Sequence, residues 1–67
     1  MKLDRNKMIK AMARMQMNFK DLAEKSGVSI STLNKIGKGG VTRPKAAGMI
    51  AAALGLDVEE LLDEAGA

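Results

Sequence analysis

The sequence predicts an all-α fold, a compact bundle of five short helices, and three observations carry that reading. One helix-start device recurs four times along the chain. The apolar residues, 46% of the chain, are mostly Ala, Met, Leu, Ile and Val with Phe19 as the single aromatic, and there is no cysteine or histidine. Finally, the stretch Asn18 to Gly39, NFKDLAEKSGVSISTLNKIGKG, reads as two short helices joined at Ser26-Gly27-Val28. Without disulfides or a zinc cluster, a chain of 67 residues must be held by helix packing alone.

The recurring device is an apolar residue, a capping residue, and a second apolar residue four positions after the cap. It appears as Leu3-Asp4 with Met8, Met17-Asn18 with Leu22, Val28-Ser29 with Leu33, and Leu56-Asp57 with Leu61. Each is a hydrophobic staple around an N-cap. Asn18 with Asp21 resembles a capping box, and Asp57 with Glu60 fits that pattern more closely.

In chain order, the first helix is expected from about Asp4 to Met15, with Met8, Ala11, Met12 and Met15 as its inner stripe and Ile9 off it. Methionine at this spacing is more often core filler than a binding surface. The second helix, Asn18 to about Ser26, buries Leu22 and Ala23 and exposes Lys20, Glu24 and Lys25. Phe19, in its first turn, covers the helix junction or lies along a ligand backbone. Gly27 supplies the left-handed backbone that the turn requires. The third helix, Ser29 to about Gly37, places Leu33, Ile36 and Ser29 on one side and Ser31, Lys35 and Lys38 roughly opposite, at about 100° per residue. Glycines at 37, 39 and 40 end it and open a basic loop. Pro44 suits the first turn of a fourth helix reaching Leu54, whose inner face is Ala47, Ile50, Ala51 and Leu54. Gly48 marks close approach or fraying there. Gly55 stops that helix, and a last one from Asp57 to about Asp63 docks Val58, Leu61 and Leu62. Residues 64–67 read as a frayed tail.

Charge divides the chain. Residues 1–45 hold all eleven Lys and Arg against Asp4, Asp21 and Glu24, a net +8, whereas residues 46–67 carry five acids and no base, a net −5. Such a split points to a polyanion partner for the first part. No apolar run approaches the ~20 residues of a membrane span, and the start lacks a secretion signal, so a cytoplasmic protein without a membrane partner is expected.

The run DLAEKSGVSISTLNKI, the glycine after it, and the tail Ala52-Ala53-Leu54-Gly55-Leu56 with Val58 and Leu61-Leu62 resemble the Cro/C1-type helix-turn-helix family of phage repressors and bacterial regulators. The resemblance covers nearly the whole chain and implies a single DNA-binding domain over 1–67, with the helix-turn-helix at about 18–38. In this family the second helix of the motif enters the major groove of double-stranded DNA. Carried over position by position, it implies base reading by Ile30, Ser31 and Lys35, with Ser29 combining capping and contact. Ile30 would meet a thymine methyl, Ser31 would donate or accept, and Lys35 would donate to guanine. Backbone contacts would come from Asn18, Phe19, Lys20, Asn34, Lys38, Arg43 and Lys45. Relatives often pair an arginine late in the first helix with a glutamate ending the reading helix; here Met12 and Gly37 stand at those positions. Losing both partners is tolerable, whereas losing one would strand a charge.

The implied function is a sequence-specific transcriptional regulator, a repressor acting as a homodimer on a two-fold operator. The alternative is a protein-interaction module, such as the helix-turn-helix subunit of a toxin-antitoxin or antirepressor system with a regulatory protein partner. Catalysis is disfavoured: Ser26, Ser29 and Ser31 have no evident general base, and Asp57, Glu59 and Glu60 read as a cap and dipole complement. Nothing in the sequence calls for a metal, a cofactor or a small-molecule ligand.

Overall fold

The staples set the core. In the computed structural model, which describes residues 1–63, the second apolar residue of every staple, Met8, Leu22, Leu33 and Leu61, has 0% of its surface exposed. The elements they start are α1 (Arg5–Arg14), α2 (Phe19–Ser26), α3 (Ile30–Gly37), α4 (Pro44–Leu54) and a single 3-10 turn (Val58–Leu61). Asp4, Asn18 and Ser29 accept backbone N–H groups from Lys7, Asp21 and Thr32. The box at Asn18 is fully reciprocal: Asn18 Oδ1 accepts from the Asp21 N–H at 2.8 Å, and Asp21 Oδ2 accepts from the Asn18 N–H at 3.0 Å. At the other candidate box, Glu60 Oε2 accepts from the Asp57 N–H at 2.9 Å.

Among the described residues there are thus four α-helices, not five. The last segment stays a 3-10 turn because its neighbours find backbone partners elsewhere. Leu62 is extended and bridges Leu3, the Asp63 N–H donates to the Lys2 carbonyl, and the Asp4 N–H donates to the Leu61 carbonyl. The same N-terminal segment reaches the loop before α4, where Lys2 bridges Val41 and the Thr42 N–H donates to the Met1 carbonyl at 2.7 Å. Residues 1–4 therefore tie the α3–α4 loop to the end of the described chain. The expected tail at 64–67 lies outside the described residues.

Around this tie, α2 packs on α3 and α4, while α1 and α4 pack on the 3-10 turn. Leu3, Ile36, Ile50 and Leu54 complete the fully buried set, and the expected inner face of α4 is buried, with Ala53 added. Two local expectations fail. Met15 is 39% exposed because α1 stops one residue earlier; Gln16 takes a left-handed backbone, φ 56°, and the Met17 N–H returns to the Met12 carbonyl. Gly48 sits inside α4 and, apart from its own stretch of helix, no atom comes within 4 Å of where a Cβ would lie, so it marks no close approach of another element. No helix of the described residues is long and apolar enough to cross a membrane.

Candidate nucleic-acid interface

The turn between α2 and α3 follows from local chemistry. Gly27 has φ 80°, Ser26 is buried and its Oγ accepts from the Val28 N–H at 3.1 Å, and Val28 is buried beneath the turn. A Cβ on Gly27 would stand 3.3 Å from Met49 Cε, so α4 packs directly on the turn. This fixes the start of α3 against the body of the domain and leaves Ile30, Ser31, Asn34 and Lys35 on the exposed face.

Beside that face runs an open groove of about 520 Å³, lined in part by Ser29, Thr32, Lys35, Val41, Arg43 and Lys45. It joins α3 to the loop and first turn of α4. Lys35, Arg43 and Lys45 are exposed, and no described acid forms an ion pair with them. A row of cations without local counter-charges attracts a polyanion. The loop is held by Gly40, whose N–H donates to the Lys35 carbonyl at 2.8 Å.

The other named residues lie elsewhere. Ile30, Ser31, Asn34 and Lys38 are exposed on α3 or at its end but do not line the groove. Asn18 and Lys20 are exposed at the start of α2. Phe19 is half-buried, with its ring edge 3.2 Å from where a Gly37 Cβ would lie, so it packs the start of α2 onto the end of α3. Gly37 is the last residue of α3 and is buried there. Met12, at the other position of the absent ion pair, is also buried.

Ser29 departs from the expected helical wheel. As the N-cap it stands outside the helix, is exposed, and faces the groove rather than siding with Leu33 and Ile36. Its hydroxyl is engaged: Oγ donates to Thr32 Oγ1 at 2.9 Å and accepts from the Thr32 N–H at 3.3 Å. Thr32 thereby becomes the polar group presented beside Lys35. Its place was readable in the spacing of Ser29, Thr32 and Lys35, three residues apart along one stripe. Val41 had no such signal, because its position depends on pairing with Lys2, far away in sequence.

Two short helices set by a glycine turn, with a basic groove along the second, define a helix-turn-helix DNA-binding domain. A family model of the Cro/C1-type HTH DNA-binding domain matches residues 7–63, and the chain belongs to that family. Comparison with curated proteins and with solved structures returned no match.

Proposed function

We propose that the protein is a sequence-specific transcriptional regulator that inserts α3 into the major groove of an operator and represses by occupying it. One observation carries this reading: Lys35 on α3 shares a groove with Arg43 and Lys45, free of described acids. In this arrangement Ile30, Ser31 and Lys35 read base edges, while Ser29 and Asn34 flank them. Asn18, Lys20, Lys38, Arg43 and Lys45 set register on the phosphates, with the packed Phe19 ring holding the start of α2 beside them. The reading unit is small. Its longest dimension is 28 Å, short of the ~34 Å between successive major-groove faces of a duplex, so reading two half-sites takes two copies. A homodimer on a two-fold operator satisfies that spacing, and residues 1–67 act as one domain.

Selection from a random duplex library at about 150 mM salt tests the proposal. Enrichment of a palindrome, with Lys35→Ala changing preference at one or two positions, supports it. Equal weak binding to enriched and scrambled duplexes refutes it. Sedimentation showing a monomer both free and on DNA defeats the dimer.

A second reading has its own observation. Ile9, Met12, Ala13, Met17 and Phe19 line an apolar groove of about 290 Å³ on the α1–α2 side, and Ile9 is 38% exposed. A toxin or antirepressor bound there would make the chain a protein-interaction module. Biological activity that survives the loss of Ser31 and Lys35 would favour this second reading.

A further inference from the structure

Val41 is the most exposed of the large apolar side chains among the described residues, at 75% against 43% for Ile30. An apolar residue in a loop is ordinarily unremarkable. This one is held in place from three directions. It bridges Lys2, the next residue's N–H donates to the Met1 carbonyl at 2.7 Å, and the preceding Gly40 N–H donates to the Lys35 carbonyl at 2.8 Å. Its backbone is therefore fixed while its side chain finds little cover among the described residues.

The surroundings narrow what covers it. Val41 lines the same groove as Lys35, Arg43 and Lys45, so whatever those cations draw in also meets two methyl groups. Valine offers nothing to a phosphate. The apolar features of a duplex are its deoxyribose edges and, in the major groove, the C5-methyl group of thymine. The bond from Gly40 to the Lys35 carbonyl ties the loop to the last turn of α3, and Val41 follows it directly.

We propose that Val41 is a base-reading residue, packing its methyl groups against the C5-methyl of a thymine adjacent to the base that Lys35 contacts. This rests on the DNA-reading function proposed above. The α3–α4 loop then contributes discrimination as well as phosphate contacts, and the groove reads with one apolar and one cationic group side by side.

The probe is the duplex enriched from the random library, with each thymine in turn replaced by deoxyuridine, which removes only the methyl group. For the unmodified protein, one thymine per half-site besides any that Ile30 meets is expected to lose roughly fourfold in affinity, the worth of one buried methyl. In Val41→Ala that loss disappears, while Ile30→Ala retains it. Because Val41 is so exposed, Val41→Ala should melt with the parent protein, and its binding can be compared directly. If Val41→Ala keeps every deoxyuridine loss, or weakens all duplexes equally as a sugar contact would, the proposal is overturned. A library that enriches nothing overturns the DNA-reading function itself, and does so before any thymine is replaced.

Discussion

Gly40→Ala is the substitution in which loop geometry bears most directly on stability. A Cβ built at Gly40 would lie 2.6 Å from the Lys35 carbonyl oxygen and 3.0 Å from its carbon. Ordinary contact begins near 3.4 Å, so the loop would have to retreat by about 0.8 Å from a backbone group that cannot swing aside. The same carbonyl accepts the Gly40 N–H at 2.8 Å, and retreat weakens that bond too. Losing a hydrogen bond costs about 1 kcal/mol and overpacking about 1–3, offset by the ~0.4–1 gained from a stiffer unfolded chain. The net loss is about 2 kcal/mol. For a domain of this size that corresponds to a fall of about 8–16 °C in melting temperature. Gly48→Ala is the control: it is helical with open space around it, and should gain about 1 kcal/mol and rise about 4–8 °C. Thermal unfolding followed by circular dichroism at matched protein concentration reads both, the matching being needed because dimerisation shifts apparent stability. A Gly40→Ala variant that melts with or above the parent, while Gly48→Ala behaves as stated, would refute the close approach.

Two further substitutions probe the helix ends. Gln16→Gly relieves a left-handed residue that costs about 1–2 kcal/mol, less the added freedom of the unfolded chain, so melting should rise by a few degrees; a fall would mean Gln16 is held by more than its backbone. Gly37→Ala adds helix propensity worth up to about 1 kcal/mol but presses a methyl on the Phe19 ring at 3.2 Å. It should therefore stabilise the parent less than it stabilises a Phe19→Leu background, and equal effects in the two backgrounds would sink the contact.

What was legible in the sequence was what is encoded locally. A cap and its staple span six residues, so the four buried staple positions and the glycine turn follow from local sequence. Pairing at long range has no period to read. Leu3 was visible as half of a staple, but nothing in Met1-Lys2-Leu3 announces that Lys2 will bridge Val41, or that Leu3 will bridge Leu62 and thereby keep the last segment from becoming a helix. Met15 fits the apolar spacing of α1, yet spacing does not say where a helix ends, and glutamine carries no signal for the left-handed turn at position 16. The site divides in the same way. The exposed face of α3 follows from helical geometry, whereas the groove beside it exists because a distant segment fixes the loop.

The same distinction changes how the charge asymmetry should be used. A net +8 over residues 1–45 invites the idea that all of it meets DNA. In three dimensions Lys2 pairs with Asp63 at 3.7 Å, and Lys7, Lys10 and Arg14 line a separate groove with Glu60. Five of the remaining cations, Lys20, Lys35, Lys38, Arg43 and Lys45, belong to the proposed interface. The slope of log affinity against log salt should then not exceed about 4–5 per protomer, at ~0.9 per neutralised phosphate. Arg43→Ala and Lys45→Ala should each lower it by about 0.9 with base preferences unchanged, whereas Lys10→Ala and Arg14→Ala should leave it alone. A loss of slope on removing Lys10 or Arg14 equal to that for Arg43 would place α1 on the DNA and require a different docking of the domain.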